Sequence, residues 1–364
     1  MKDKGGFTSS RKLDHLRICA EEEVECGDTG FGDIRFVHNA LPECDMGRID
    51  LSARFLGHTF STPLFISAMT GGHAGTKDVN ARLARAAERY GIGMGVGSQR
   101  AALENPALAE TFTVVRDEAP HAFLVANLGA VQLRDHGTAW AERAVEMIGA
   151  DAVAIHLNFL QEAIQPEGDH NAVGCLGAIE QLCRDIRTPV IVKETGCGIS
   201  AATARKCWGA GVRAIDTGGW GGTSWAAVES VRAKKSAARA KDAGLIALGQ
   251  DLSGWGIPSV VSLAEVLATG GPVIASGGVR SGLDIAKGLA FGADLCGMAL
   301  PLLKPAMESD DALARTIDAI HRELTVAMFL TGSANIADLR KAPVHLTGRT
   351  RQMIEKDNPA RIKR

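Results

Sequence analysis

One short segment of this sequence, HLNFLQEAIQPEGD (156–169), concentrates polar side chains that could act on a phosphorylated substrate. His156, Asn158, Gln161 and Glu162 all fall within it. A lone carboxylate is usually solvated, but beside a diphosphate Glu162 would suit Mg²⁺, which combines few carboxylates with phosphate oxygens and water. Gln161 could orient a group or relay a proton but could not titrate, because an amide has no accessible pKa.

A second set of residues suits a bound flavin or a sugar phosphate. The segment ASGGVRSGLDIAKGL (275–289) supplies glycine amides, Arg280 and the start of a helix, which together favour a phosphate dianion. Lys193 follows an apolar run and would need an anionic partner if it were buried. Beside a flavin, its charge would stabilise the anionic reduced ring. Asn127 and Thr70 could hydrogen-bond the edge of the heterocycle.

A compact basic group, RKLDH (11–15), lies near the amino terminus. Such a group is most often a plain surface patch. Arg11, Lys12 and His15 would contact phosphate if the N-terminal arm folded over a binding site.

The apolar runs of the sequence indicate the scaffold that would gather these groups. Eight short runs follow residue 60, and each is typical of a parallel strand that is buried on both faces. The runs cover residues 63–69, 91–97, 123–129, 152–158, 189–195, 214–219, 272–278 and 295–300. Helical spacing separates them, so the order predicts an α/β fold with a single (β/α)8 TIM barrel. A doubly wound sheet is the alternative.

The barrel architecture predicts where the chemistry takes place and how the chain is divided. Catalytic groups of such barrels lie at the carboxyl ends of the strands, where the polar residues above also occur. Residues 1–60 are predicted to form an arm over the barrel mouth, and residues 61–364 the ligand-binding barrel with a C-terminal helical extension. A long basic insertion at about 226–258 is interpreted as a solvated helix or a mobile loop, or alternatively as a lid or a subunit contact.

Helical spacing and capping residues predict individual helices between the strands. The predicted helices cover residues 78–90, 138–149, 283–293 and 309–332. The predicted caps are Asp78, Thr138, Ser200 and Ser281.

The composition excludes several classes of protein. Glycine accounts for 42 of the 364 residues without the period of collagen, and 46% hydrophobic residues are too many for a flexible linker. A formal charge of -2 argues against nucleic acid or a membrane surface as the partner. The eight cysteines form no C-x-x-C pair, and no secretory signal or membrane-spanning run is visible. We therefore expect reduced thiols and a cytoplasmic protein.

Taken together, these motifs resemble type 2 isopentenyl diphosphate isomerase, the flavin-dependent form of that enzyme. The matching segments are RKLDH (11–15), SAMTGG (67–72), GVGSQR (95–100), NLGA (127–130), HLNFLQEAIQPEGD (156–169), KETGCGIS (193–200), DTGGWGGTSW (216–225), GGVRSG (277–282) and GSANIADL (332–339). HLNxxQExxQPEGD is the most specific of them. Asp14 stands where the family more often has Glu. Gly218 stands where many members have Ser, which removes a possible hydroxyl contact to the flavin.

The resemblance implies an enzyme that interconverts isopentenyl and dimethylallyl diphosphates, with FMN, with NADPH to reduce the flavin and with Mg²⁺ on the diphosphate. It also favours a homotetramer or a larger homo-oligomer. The implied catalytic residues are Gln161, His156, Asn158 and Lys193. The implied substrate ligands are Arg11, Lys12, His15, Ser98, Gln99, Arg100 and Gln161. The implied cofactor contacts are Ala68, Met69, Thr70, Ser98, Asn127, Lys193, Thr223, Gly277, Gly278, Arg280, Ala299 and Leu300, and the implied metal ligand is Glu162.

The expected mechanism moves a double bond by adding one proton and removing another. Reduced FMN is expected to serve as the acid and the base, because no carboxylate or histidine pair is suited to both transfers. An FMN-dependent α-hydroxy-acid oxidase is the rival enzyme, but its histidine base before a late Gly-Gly pair is absent from DTGGWGGTS (216–224). A non-catalytic flavin- or phosphate-binding protein is a further alternative, against which Gln161, Glu162 and Lys193 argue.

Overall fold

The computed structural model describes residues 4–165, 167–235 and 243–357. Its strands are β1 (Ile34–Phe36), β2 (Ala53–Phe55), β3 (His58–Phe60), β4 (Leu64–Ile66), β5 (Gly93–Gly95), β6 (Leu124–Gly129), β7 (Ala152–Leu157), β8 (Val190–Glu194), β9 (Ala214–Asp216), β10 (Val273–Ala275), β11 (Leu295–Met298) and β12 (Val344–Leu346). Its helices are α1 (Lys4–Glu21), α2 (Lys77–Tyr90), α3 (Arg100–Glu104), α4 (Glu110–Glu118), α5 (Ala130–His136), α6 (Thr138–Ile148), α7 (Phe159–Ile164), α8 (Cys175–Asp185), α9 (Ala201–Gly209), α10 (Trp225–Lys235), α11 (Ala243–Asp251), α12 (Ser259–Leu267), α13 (Gly282–Phe291), α14 (Leu300–Glu308), α15 (Asp310–Leu330), α16 (Ile336–Leu339) and α17 (Gly348–Asp357).

Strands β4 to β11 form a closed parallel barrel in chain order, with β11 paired to β4. Each strand lies inside one of the eight predicted apolar runs, so the predicted (β/α)8 barrel is confirmed and the doubly wound alternative is wrong. The runs are continuously apolar because both faces of the strands are covered. Phe65, Val125 and Ile191 belong to a cluster inside the barrel, whereas Ile66 and Leu124 belong to the main core together with the helices.

The four predicted helices occur close to their predicted bounds, as α2, α6, α13 and α15. Ser200 and Ser281 cap their helices as predicted, because each side-chain oxygen accepts the N–H of the third helical residue. The caps predicted at Asp78 and Thr138 are wrong. Asp78 lies in the first turn of α2, where its charge complements the helix dipole, and Gly137 precedes α6 without a side chain to cap it.

The first 60 residues contact more than one part of the barrel. Helix α1 packs against α3, α10 and α14. The β2–β3 hairpin instead joins the cluster inside the barrel, with the ring of Phe60 centred 5.4 Å from that of Phe123 in an edge-on arrangement. Phe123 immediately precedes β6, so the hairpin closes the amino end of the barrel with apolar side chains. Strand β1 pairs antiparallel with β12 and thereby joins this segment to the C-terminal extension.

The predicted insertion at about 226–258 contains α11 and all of α10 except its first residue. The interpretation as a solvated helix is wrong for the inner face of α10, because Glu229, Ser230 and Arg232 are buried there. This face packs against α1 and α7. Two of the basic residues that suggested solvation, Arg239 and Lys241, lie outside the described residues.

The eight cysteines are free thiols, as expected from their spacing. Within the described ranges, no helix is both long enough and apolar enough to cross a membrane.

Candidate active site

One large cavity opens at the carboxyl ends of the barrel strands. It measures about 1580 Å³ when the space at its mouth is included. The strand ends, the loops after β9 and β10, and α1 form its walls. With one exception, every site residue predicted from the sequence lines it: Arg11, Lys12, His15, Ala68, Met69, Thr70, Ser98, Arg100, Asn127, His156, Asn158, Gln161, Glu162, Lys193, Thr223, Gly277, Gly278, Arg280, Ala299 and Leu300.

Gln99 is the exception. Its side chain is buried in the wall, where the amide nitrogen donates to the carbonyl of Ala144 at 2.8 Å. Its amide oxygen accepts the N–H of Asn127 at 2.9 Å. The structure therefore contradicts the predicted contact between Gln99 and the substrate, since these bonds use both ends of the amide to hold β6 in place.

The loops after β9 and β10 pack backbone against backbone. A Cβ atom on Gly222 would lie 2.5 Å from the amide nitrogen of Gly278 and 3.1 Å from Nη2 of Arg280. Gly277 and Gly278 line the cavity, and their N–H groups form no hydrogen bond with the described residues. Two open amides and a guanidinium make this phosphate cradle (Gly277, Gly278 and Arg280) suitable for a dianion.

The start of α13 contributes less to the phosphate cradle than the sequence predicts. The N–H of Gly282 donates to the carboxylate of Glu323 at 2.7 Å, and the N–H of Arg280 donates to Asp284 at 3.1 Å. Because these side chains already occupy the donors, a phosphate would depend on the two open glycine amides and the Arg280 side chain.

Hydroxyl and amide groups line the cavity at the ends of β4 and β6. The Oγ of Ser67 and the Oγ1 of Thr70 are buried and have no hydrogen-bond partner among the described residues. Asn127 donates from Nδ2 to the carbonyl of Val96 at 3.0 Å, which orients its Oδ1 toward Nδ1 of His156 at 2.9 Å. Unpaired buried hydroxyls next to an oriented amide fit the polar edge of a planar heterocycle.

His156 is held as a neutral ring. Burial, together with the charges of Lys193 and Lys12, lowers the pKa of His156 to about 3. Since Nδ1 donates to Asn127, Nε2 carries the lone pair and can accept a hydrogen bond from a ligand. A ring with so low a pKa is a weak base, so this geometry favours positioning over proton transfer.

Lys193, the next-to-last residue of β8, lies between two polar neighbours. Its register partners on the adjacent strands are His156 and Asp216, and its ammonium donates to the carbonyl of Glu194 at 2.9 Å. Burial raises the pKa of Asp216, which accepts the Ser276 hydroxyl, although the charge of Lys193 opposes the shift. Burial also raises the pKa of Glu194 to about 7, although three backbone N–H groups donate to its carboxylate and oppose this shift. Lys193 therefore supplies positive charge to this wall and could stabilise an anionic ring.

Arg11, Lys12 and Arg100 form a second cationic wall beside Glu162. Burial and the charges of Arg11 and Arg100 lower the pKa of Lys12 to about 8, although Glu162 opposes the shift. The Nε of Arg11 is buried without a partner among the described residues. This wall thus has positive charge and an open donor available for an anionic ligand such as a diphosphate.

Glu229 is the centre of a buried network that sequence reasoning missed. Its Oε1 accepts hydrogen bonds from His15 at 2.8 Å, Gln161 at 3.0 Å and Gln165 at 2.5 Å. Its Oε2 accepts Nε of Arg232 at 2.7 Å. Although burial alone raises a carboxyl pKa, His15, Arg232 and the Gln161 amide hold the pKa of Glu229 below its ordinary value. Glu229 and Arg232 are an acid and a base three residues apart in a helical stretch. This spacing was the signal from which their ion pair could have been predicted.

Glu162 could hold a metal only with help from a ligand. Its Oε1 accepts Nδ2 of Asn158 at 2.8 Å, and its Oε2 accepts the N–H of Asp169 at 2.9 Å. No group of three or more His, Cys, Asp or Glu side chains in the described ranges could hold a metal ion. Each Glu162 oxygen keeps a lone pair, which suits Mg²⁺ whose other ligands are phosphate oxygens and water.

Similarity to known proteins agrees with this site. Residues 9–113 and 139–346 match the FMN-dependent dehydrogenase family. An isopentenyl-diphosphate delta-isomerase of Methanoregula boonei is 73% identical over 358 residues, which cover 98% of this chain and 99% of that protein. The chain belongs to the FMN-dependent isopentenyl-diphosphate delta-isomerase family. A further member of this isomerase family, from Archaeoglobus fulgidus, is 50% identical over 348 residues, covering 96% of this chain and 99% of its own.

Solved structures share the fold of this isomerase family member at low identity. Flavocytochrome b2 with sulfite bound is 17% identical, with a TM-score of 0.66 over 94% of this chain and 86% of its own. A mandelate oxidase mutant with the C4a-OH-FMN adduct is 16% identical, with a TM-score of 0.64 over 92% and 95%. At these identities the likeness establishes a common barrel fold and nothing about the substrate.

Proposed function

We propose that this chain interconverts isopentenyl diphosphate and dimethylallyl diphosphate with FMN as its cofactor. The observation that carries the proposal is a single cavity with two cationic regions. One is the phosphate cradle at Gly277, Gly278 and Arg280, and the other is the wall of Arg11, Lys12 and Arg100. A phosphorylated cofactor and a diphosphate substrate together require two such regions. Membership of the isomerase family supports this assignment of ligands.

The residues present fit FMN. The phosphate cradle would hold its phosphate, and the unpaired hydroxyls of Ser67 and Thr70 together with Asn127 would meet the polar edge of its ring. Lys193 would favour the anionic form of the reduced ring through its positive charge. Reduced FMN supplies, when bound, a ring nitrogen that can donate and accept a proton.

Gln161 would orient the reacting alkene in this cavity. Its Nε2 donates to Glu229 at 3.0 Å and its Oε1 accepts Nδ2 of Asn158 at 3.4 Å, so both ends of the amide are held. Isomerisation adds one proton to an alkene carbon and removes one from another, with no net oxidation. An oriented amide suits this reaction because it restricts the alkene without competing for either proton.

The second cationic wall would hold the diphosphate. Arg11, Lys12 and Arg100 would bind its oxygens directly, while Glu162 would hold Mg²⁺, which would supply further positive charge to the diphosphate. The diphosphate lies away from the reacting carbons, so its binding energy can be used to position the alkene.

Three additional proposals complete this function: the first two follow the family resemblance, and the third follows the reduced cysteines. NADPH supplies the electrons that reduce FMN, the protein assembles as a homotetramer or a larger homo-oligomer, and it functions in the cytoplasm. Helix α1 is proposed to act as the arm that brings Arg11 and Lys12 of the second cationic wall to the barrel mouth.

An anaerobic assay of the purified protein with isopentenyl diphosphate, FMN, NADPH and Mg²⁺ tests the function. We expect dimethylallyl diphosphate to form only when the flavin is reduced. The same preparation supplied with oxygen and a panel of α-hydroxy acids should form no hydrogen peroxide. Peroxide without dimethylallyl product would support the rival oxidase and reject the isomerase.

A further inference from the structure

Arg280, the guanidinium of the phosphate cradle, already faces an anion from the same chain. Its Nε donates to Oε1 of Glu25 at 2.7 Å, and its Nη2 donates to the same oxygen. The Nη1 donates to the carbonyl of Val279 at 2.9 Å. Half of the Glu25 side chain remains exposed, so the carboxylate lies at the edge of the cradle rather than in the protein core.

The backbone around Glu25 holds this carboxylate in place. The segment 24–26 runs antiparallel to the loop 222–224, with Glu25 opposite Thr223. The N–H of Cys26 donates to the carbonyl of Gly222 at 3.0 Å, and the N–H of Ser224 donates to that of Val24 at 2.8 Å. Two backbone hydrogen bonds therefore fix the position of Glu25 beside the loop that forms one side of the cradle.

We propose that Glu25 is an affinity-setting residue that weakens the binding of the FMN phosphate by sharing Arg280 with it. A carboxylate on this guanidinium neutralises part of the positive charge that a phosphate dianion would meet. The phosphate must displace Glu25 or lie next to its negative charge, and either event opposes binding. The cofactor thus binds more weakly than the glycine amides and Arg280 alone would allow. This inference rests on the proposed use of FMN.

A different role for Glu25 makes the opposite prediction. If the carboxylate served to orient Arg280 for the phosphate, removal of its charge would weaken FMN binding. Substitution Glu25→Gln distinguishes the two roles, because glutamine keeps an oxygen that can accept from Arg280 and removes only the charge.

The experiment measures the dissociation constants of FMN and of riboflavin from the apoprotein by flavin fluorescence. Riboflavin has the same ring and lacks the phosphate, so it is the matched control ligand. For Glu25→Gln we expect roughly two- to fivefold tighter FMN binding and unchanged riboflavin binding, which is the size of a partly exposed ion pair. The gain should be largest at about 20 mM salt and nearly lost at about 500 mM salt, because salt screens charges near the surface.

Glu22→Gln is the control variant. It removes the negative charge of a nearby carboxylate that pairs with Lys235 and not with Arg280. We expect it to leave both dissociation constants unchanged. Unchanged or weaker FMN binding by Glu25→Gln would overturn the proposal, and so would an equal gain for riboflavin. If Glu25→Gln does not fold, Glu25→Ala provides the same comparison with the same expected direction. Failure to form dimethylallyl diphosphate while FMN still binds would reject the proposed function and leave the role of Glu25 intact.

Discussion

The side-chain amide of Gln161 on α7 donates to Oε1 of Glu229 on α10 at 3.0 Å. Glu229 has a lowered pKa and accepts from His15 and Arg232 as well, so it remains an anion that can only accept. The Gln161 amide is therefore oriented with its nitrogen toward Glu229. Three helices, α1, α7 and α10, meet at this carboxylate.

Shortening Gln161 by one methylene tests whether its position matters to the reaction. In Gln161→Asn the amide no longer reaches Glu229, and we expect turnover to fall by about 100-fold, as misplacements near 1 Å can cause. FMN affinity should change little, because Gln161 lies outside the phosphate cradle and the ring-edge groups. Steady-state kinetics and a flavin titration measure the two effects. Gln181→Asn on the exposed side of α8 is the control, and full activity in Gln161→Asn would remove this residue from the mechanism.

Neutralising Glu229 should destabilise the protein. Glu229→Gln removes a buried carboxylate from Arg232, which still pairs with Glu167 at 2.6 Å. Loss of one partner of a buried pair costs up to about 3–5 kcal/mol. Urea titration followed by circular dichroism measures the change. The matched control is Glu180→Gln, whose exposed pair with Arg184 contributes at most about 1 kcal/mol. Equal losses of stability in the two variants would contradict the proposal that Glu229 holds the buried network together.

Substrate affinity should weaken as the pH rises above about 8, the pKa of Lys12. A diphosphate favours the protonated ammonium, so this contribution is complete below that pH and is lost as the pH rises through it. With one proton involved, the dissociation constant should rise by up to about tenfold per pH unit. Calorimetric titration of isopentenyl diphosphate from pH 6.5 to 9.5 provides the measurement. Arginine stays charged over this range, so Lys12→Arg should remove the pH dependence of the dissociation constant. If the variant shows the same pH dependence as the unaltered protein, Lys12 is not its cause.

A methyl group on Gly222 should block the phosphate cradle. In Gly222→Ala the new Cβ would lie 2.5 Å from the amide nitrogen of Gly278, which is too close to permit an unchanged structure. We expect FMN binding to weaken by about tenfold or more, while riboflavin binding changes little, since backbone amides are the main phosphate donors here. Gly254→Ala is the control because its Cβ would meet nothing within 4 Å. Equal losses of FMN and riboflavin affinity would show that the substitution distorts the whole site, and would contradict a specific effect on the phosphate.

Removal of Mg²⁺ should weaken substrate binding and leave flavin binding unchanged. Treatment with EDTA is expected to raise the KM for isopentenyl diphosphate by at least about tenfold, because the Mg²⁺ that Glu162 is proposed to hold would no longer neutralise the diphosphate. Glu162→Gln should show the same rise and should no longer respond to added Mg²⁺. Flavin titration should give the same dissociation constant in both cases. Activity that does not depend on the metal would reject Glu162 as its ligand.

The barrel and most of its lining residues could be predicted because they depend on local patterns. Eight apolar runs of strand length identify eight buried strands, and the polar residues that end such strands meet at one mouth in any parallel barrel. Lys193, Asn127 and Arg280 line the cavity at this mouth for this reason, while their roles toward FMN stay predictions. The prediction for Gln99 is wrong because position in the chain does not determine which side of the wall a side chain faces.

The sequence by itself therefore determined the barrel, the family and the chemical types of groups at its mouth, since periodicity and motifs are properties of neighbouring residues. Only the tertiary structure brought Glu229 to Gln161 and His15, and Glu25 to Arg280, which lie 255 positions apart in the chain. Both carboxylates belong to segments without a distinctive motif. Their roles depend on how α1, α10 and the segment 24–26 pack over the strand ends, and long-range packing leaves no local pattern in the sequence.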